Sequence, residues 1–257
     1  MNKPVVFSDL DDTLFQTRRK MTDELALAPF RPGALDRAMT ARSFMTEEQS
    51  MLVDWLLEHT DFIPVTARGT EEISRVTIAF HSWMIATHGA VILTPKGQPD
   101  QEWQAHMLDS LAAYRERLLT MQREITALMA RRGINAWARI NYEYGDTPVY
   151  LVMKHTDSTR LAELYAIGDE IETTFSTQGF YLHRNGNNIA WLPKPVEKGL
   201  ATQYLLQKLR TQRGVFPVIG LGDSLSDHSF MKLCHWFGMP QHSQFAEQIS
   251  HRIFGEH

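Results

Sequence analysis

A single cysteine, Cys234, stands in 257 residues, so no disulfide can form within the chain, and a reducing compartment suits it. Its setting, Phe230-Met231-Lys232-Leu233-Cys234, reads as a buried thiol rather than a nucleophile. No uninterrupted apolar run approaches the ~20 residues that span a bilayer. No basic segment followed by a long apolar stretch comes before the first strand-like run, as a signal peptide would require. A cytoplasmic protein with no membrane partner is therefore expected. Strong charge of one sign is missing too: a net charge of −4 gives no basic surface for nucleic acid. Nothing in the sequence speaks to oligomeric state. What is present, 43% hydrophobic and 22% charged residues, can bury one good core and a second, smaller one.

The most informative stretch is Val5-Val6-Phe7-Ser8-Asp9-Leu10-Asp11-Asp12-Thr13. Strand-forming residues give way at once to three carboxylates and a hydroxyl. In an extended chain Asp9 and Asp11 fall on the same side. Two carboxylates held together repel unless a cation or a shared proton offsets the repulsion, so a metal or acid/base role is expected of them. An acidic turn at a strand end would look the same locally, and only residues farther along the chain can decide between the two.

Three segments farther along bear on it. Phe62-Ile63-Pro64-Val65 runs into Thr66-Ala67-Arg68-Gly69, which places a hydroxyl just past a buried strand. Glu197-Lys198-Gly199-Leu200 opens a helical pattern with a lysine in its first turn. Phe216–Leu221 runs into Gly222-Asp223-Ser224-Leu225-Ser226-Asp227, a second acidic pair at a strand end. Taken singly, Thr66 could be a helix N-cap, Lys198 a solvated lysine, and Asp223 and Asp227 turn and cap residues. Taken in order, Asp, Thr, Lys and Gly-Asp resemble the four motifs of the haloacid dehalogenase-like (HAD) phosphohydrolases. That resemblance implies an α/β fold: a doubly wound, Rossmann-like parallel-sheet core with an inserted α+β cap.

The spacing is consistent with an insertion. Between Asp9 and Thr66 one helix is clear, Glu47 to about His59, opened by a capping box of Thr46 and Gln49, with Leu52, Trp55, Leu56 and His59 along one face. A helix is expected near 71–80 and a core strand at Trp83–Thr87. From Thr66 to Lys198 the chain is far longer than the dozen or so residues of a strand crossover. The turn-rich Thr94-Pro95-Lys96-Gly97-Gln98-Pro99 marks a domain crossing, as does Pro193-Lys194-Pro195 on return. The division expected is 1–91 and 191–257 for the core and 92–190 for the insert. Apolar residues from Trp103 to Leu128, three and four apart, predict one long amphipathic helix over 100–132, stopped by Gly133. Strands at about 134–142 and 149–154, a helix at about 158–175, and a hairpin of about 180–184 and 189–192 complete the insert. This order is similar to the αββαββ, C2-type cap of the Cof and sugar-phosphatase branch.

The resemblance also implies the chemistry. Mg²⁺ would be held by Asp9, by the main-chain carbonyl of Asp11, and by Asp223, with Asp227 in or beside the ligand set. Asp9 would attack phosphorus to form an aspartyl-phosphate, and Asp11 would act as general acid and then general base. Thr66, with Arg68 nearby, would bind the phosphoryl group, and Lys198 would neutralise it. Arg139, Lys154, Arg184 and Asn185 in the insert are the candidates to meet the leaving group. Asp12 stands where many relatives carry glycine and has no catalytic role assigned. The five histidines near the C-terminus, from His228 to His257, lack the spacing of a zinc site, and His155 and His183 lie on insert strands. The expected activity is hydrolysis of a small phosphorylated metabolite, a sugar phosphate or nucleotide-like ester. A phosphomutase using the same intermediate remains open. A non-enzymatic phospho-signalling module is disfavoured by the insert and by Gly222-Asp223.

Overall fold

The computed structural model describes residues 2–157, 159–184 and 186–255. The chain falls into two compact units, residues 1–101 with 197–257, and residues 102–196. The borders lie several residues beyond the expected 91/92 and 190/191. On the outgoing side the reason is local: the strand Val91–Leu93 pairs with Met84–Ala86, and Ile92 is fully buried. The turn at Thr94–Pro99 forms as expected, closed by Thr94 N–H to the Gln98 carbonyl.

The first unit is built on a parallel sheet. Val5–Ser8 lies between Val218–Leu221 on one side and Asp61–Pro64 on the other, with Trp236–Gly238 at the edge beyond Val218–Leu221. The chain leaves the central strand to one side and later returns on its other side. That reversal of strand order opens a crevice at the carboxyl ends. The strand Val5–Ser8 is buried on both faces, which is why it reads as a continuous apolar run rather than an alternating one. Each of Val5, Val6 and Phe7, fully buried, contributes roughly 1.5–3 kcal/mol over an exposed position.

Between the first strand and Thr66 lies more structure than the sequence disclosed. A π-helical turn, Lys20–Glu24, is followed by a hairpin of Arg31–Leu35 and Ala41–Met45, to which Gln16–Thr17 adds a third strand. The helix Glu47–His59 carries the expected capping box of Thr46 and Gln49. Its buried face is Ser50, Val53 and Leu56, however, while Leu52 and Trp55 are 44% and 54% exposed. The helix expected over 71–80 is only Thr70–Ile73. Beyond it the backbone of Arg75 and Thr77 bonds to Leu35 and Gly33, and Val76 bridges to Ala34. The β-branched run Val76-Thr77-Ile78 thus joins the hairpin edge, a half-buried setting that suits such residues better than a helix.

The second unit holds an antiparallel sheet in which Ala136–Glu143 pairs with Thr147–His155, and Phe180–Arg184 pairs with Ile189–Pro193. Ile189–Pro193 also joins Thr147–His155. The long helix is two, Gln101–Ala112 and Arg115–Arg132. They part at Tyr114, whose ring packs edge-on against Phe180. Gly133 ends the second helix at φ 63°, a conformation glycine adopts without a Cβ penalty. The later helix is Leu161–Thr174; the expected start at Ser158 lies outside the described residues. Leu118, Met121, Ile125, Leu151, Ile167 and Trp191 are among the residues of this unit's own core.

Candidate active site

The carboxyl ends of Val5–Ser8 and Val218–Leu221 bring three aspartates together. Asp9, Asp223 and Asp227 are each buried, and one oxygen from each lies within 4.8 Å of the others. Lys198, the first residue of the helix Lys198–Arg213, reaches into them. Its Nζ donates to Asp9 Oδ1 at 2.6 Å and to Asp227 Oδ1 at 2.7 Å. The other oxygen of Asp227 accepts from the N–H and hydroxyl of Ser224. Thr13 shares its hydroxyl between Asp223 Oδ1 at 3.3 Å and Asp9 Oδ2 at 3.5 Å.

One lysine faces three carboxylates, and their proton affinities record the shortage. Burial opposes the charge on Lys198, but Asp227 and Asp9 outweigh it and hold the ammonium well above its ordinary range. Asp227 is lowered, because Lys198 and Ser224 more than offset its burial. Among the described residues no cation is bonded to Asp223. Burial, then the charges of Asp227 and Asp12, push it up to about 7. Asp9 is raised as well, by burial and by Asp227 and Asp223, against the pull of Lys198. Such a deficit of positive charge among oxygen ligands fits a divalent cation. Asp9 Oδ2 and Asp223 Oδ1 accept only the long, shared bond of Thr13 and are placed to bind one, whereas both oxygens of Asp227 accept shorter bonds from Lys198 and Ser224.

The Asp11 side chain does not share this centre. The chain leaves the extended conformation after Ser8, and Asp12 sits at φ 63°, so the expected same-side pair is split. Asp11 is half-exposed and clasps Arg68 in a two-pronged ion pair, with both N–H···O distances at 2.7 Å. Arg68, expected to bind phosphate, is thus committed to Asp11 and packs over the Phe15 ring. Burial weakens its charge, but Asp11 more than restores it. The left-handed backbone at Asp12 is one that glycine adopts without a Cβ penalty. Its carboxylate pairs with Lys20 at 2.9 Å.

Thr66 is buried at the end of the neighbouring strand. Its oxygen accepts the Arg68 N–H at 3.1 Å, which leaves its own hydrogen to donate. The tight turn Thr87–Ala90 supports it: the N–H groups of His88 and Thr87 bond to the carbonyls of Thr66 and Arg68. Gly89, at φ 96°, lies so close to the start of the lysine helix that a Cβ would come 2.4 Å from the Glu197 carbonyl oxygen. Gly222 is equally confined, since a Cβ there would meet Asp227 at 2.7 Å. Sequence reasoning missed Thr13, Ser224, Lys20 and this turn. Thr13 was next to the acidic run, but the bond that matters joins it to a residue near the other end of the chain.

Two of the insert candidates have partners within the insert. Arg184 bonds Asp169 and stacks near Tyr165, Arg139 lies over Trp137, and Lys154 is on the strand Thr147–His155; Asn185 lies outside the described residues. His155 is buried and accepts the Asp157 N–H. Among the described residues, no histidine joins a group that could hold a metal. Burial pushes the Cys234 thiol up to about 12, in keeping with an inert cysteine. No helix among the described residues is long and apolar enough to cross a membrane.

No protein-family model matches the sequence, and no curated protein matches it. Likeness is found in three dimensions. The sucrose-phosphatase of Synechocystis sp., solved with sucrose and phosphate, is 17% identical; the match has a TM-score of 0.57 and covers 100% of this chain and 90% of that one. The C-terminal domain of trehalose-6-phosphate phosphatase from C. albicans matches at 14% identity and TM-score 0.58, over 90% of this chain and 73% of that one. A protein related to trehalose-6-phosphate phosphatase matches at 20% identity and TM-score 0.50, over 89% and 81%. With its parallel-sheet core, and with Asp9, Lys198, Asp223 and Asp227 gathered at the strand ends, the chain shares the fold of these phosphatase structures.

Proposed function

We propose that this chain is a Mg²⁺-dependent phosphomonoesterase acting on a sugar phosphate through an aspartyl-phosphate at Asp9. The observation that carries the reading is the buried cluster of Asp9, Asp223 and Asp227 around one lysine. It is short of positive charge and placed where doubly wound sheets bind ligands. The sugar-phosphate class is supported by neighbours named for sucrose and trehalose-6-phosphate.

Asp9 and Asp223, with the carbonyl of Asp11, would hold the ion, and Asp227 would orient Lys198. When bound, Mg²⁺ supplies neutralisation of the phosphate charge. Lys198 holds Asp9 Oδ1 in place and adds a fixed positive charge beside the phosphoryl group. Thr66 donates its hydroxyl hydrogen to a phosphoryl oxygen. An Asp9 oxygen bonds to phosphorus as the ester oxygen leaves, and Asp11 gives that oxygen a proton. Asp11 then takes a proton from the water that attacks the phosphorylated Asp9, releasing inorganic phosphate and restoring the carboxylate. Arg68 acts as a positioning residue: its two bonds hold the ionised Asp11 that takes the proton of the water, and one of them opens when Asp11 carries the proton for the leaving oxygen.

The test is phosphate release from a panel of sugar phosphates, with Mg²⁺ and with EDTA, by wild type and Asp9→Asn. Release should need the ion and fall on the order of 10⁴-fold or more in the variant. Full activity in EDTA, or comparable turnover by Asp9→Asn, would reject the reading.

A further inference from the structure

Three consecutive residues beside the site, Thr87, His88 and Gly89, have φ of 53°, 54° and 96°. Glycine adopts such angles freely, whereas a β-branched residue resists them strongly, and Thr87 is fully buried. Costly backbone of this kind persists only where its surroundings over-determine it, and it gathers at functional sites.

The site itself holds this turn, from two sides. On one side the N–H groups of Thr87 and His88 donate to the carbonyls of Arg68 at 2.7 Å and Thr66 at 3.0 Å. The N–H of Thr66 donates to the Ile85 carbonyl at 2.9 Å, just ahead of the turn. On the other side Gly89 rests on the start of the lysine helix. A Cβ at 89 would lie 2.4 Å from the Glu197 carbonyl oxygen, where ordinary contact begins at 3.4 Å. A side chain there would drive that carbonyl back by about 1 Å, the difference of the two distances. Glu197 is the N-cap of the helix: its carboxylate accepts the N–H groups of Gly199 and Leu200, and its carbonyl accepts that of Ala201. Lys198 follows it directly.

We propose that Thr87–Gly89 is a positioning turn, which sets the placement of Thr66 relative to Lys198 by gripping the backbone of both segments. Its effect on turnover rests on the phosphatase reading; its coupling of the two segments does not. Coupling is read by amide hydrogen exchange of the whole chain, followed by NMR. Gly89→Ala, which presses on the helix start, should speed exchange about tenfold or more at Gly199, Leu200 and Ala201, and likewise across the turn at Thr66. His88→Val, which strains the Thr66 side, should do the reverse and loosen Ala201 as well. Either variant alone carries the test if the other does not fold. Val6 and Phe7 should be unaffected. Acceleration confined to the substituted side, or spread equally to Val6 and Phe7, would overturn the proposal.

Turnover supplies the second arm. A displacement near 1 Å lowers kcat on the order of 100-fold, so both variants should lose about tenfold or more. His88→Asn loses the imidazole as His88→Val does, but asparagine accepts a left-handed backbone, and its kcat should stay within about twofold of wild type. Equal losses in the Asn and Val variants, or full turnover by folded Gly89→Ala, would also overturn the positioning role. A wild type that releases no phosphate from any ester would reject the phosphatase reading instead, and the exchange result would still decide the coupling.

Discussion

Two strand ends of this molecule carry paired aspartates, and the pairs are treated differently. At the end of Val218–Leu221 both Asp223 and Asp227 are buried in one cluster. At the end of Val5–Ser8, Asp9 is buried against Lys198, while Asp11 turns outward to Arg68. The result is that residues of one type span the range of carboxylate behaviour: Asp227, bonded to an ammonium and to Ser224, is lowered, and Asp223, bonded only to a hydroxyl, rises to about 7. Burial is common to both. The direct hydrogen bonds from Lys198 and Ser224, which Asp227 accepts and Asp223 does not, separate them.

Removing the shared cation would break the comparison most severely. Lys198→Met leaves three buried carboxylates with no counter-charge, and loss of one partner from a buried pair costs about 3–5 kcal/mol. Urea unfolding in EDTA should show a loss of that size, and added Mg²⁺ should recover part of it. Unchanged stability would mean that Asp9 and Asp227 are not held by Lys198.

The next largest effect should fall on Asp11. Arg68→Ala frees its carboxylate, and kcat on a sugar phosphate should drop between about 10- and 100-fold, within the usual contribution of a positioned general acid. On p-nitrophenyl phosphate, whose leaving group needs little protonation, the loss should be several-fold smaller. Equal losses on both esters would instead place Arg68 on the phosphoryl group.

A subtler test uses pH. In the metal-free fold Asp223 keeps its proton to about 7, against an ordinary value of 3.8. Between those values the native state binds the proton that the unfolded chain has released. Stability of the metal-free protein should therefore decline as pH rises from about 4 to about 7, then level off. Asp223→Asn should reduce that slope and leave the part that Asp9, also raised, contributes. A slope undiminished by the substitution would assign the titration to another group.

The smallest effect belongs to the Lys20–Asp12 pair, which is about a third exposed on each side. Lys20→Ala should cost less than about 1 kcal/mol. It should also raise the Mg²⁺ concentration at half-maximal activity slightly, since Lys20 partly offsets the neighbouring acids. No shift in Mg²⁺ requirement would confine the pair to holding the left-handed turn.

The elements that could be read in advance are those whose causes are local. Thr46 and Gln49 cap the helix Glu47–His59 through bonds three residues apart, and Gly133 closes its helix by its own backbone angle. Which face of Glu47–His59 is buried depends on the hairpin and sheet packed against it, so Leu52 and Trp55 were misplaced. Val76 and its neighbours have the pattern of a helix but pair with a hairpin edge formed by residues some forty positions earlier. The edge strand Trp236–Gly238 is three residues long, too short for periodicity to register.

By itself, then, the sequence determined the α/β class, the presence of an insertion, and the acids, hydroxyl and lysine at the strand ends, because strand-to-turn transitions and helix starts are written in neighbouring residues. Tertiary structure alone decided which cation each acid receives. Lys198 reaches Asp9 only because two parallel strands and a helix start converge, and Arg68 reaches Asp11 only because the backbone turns at Asp12. Charge pairing falls off with distance in space, and distance along the chain does not record it.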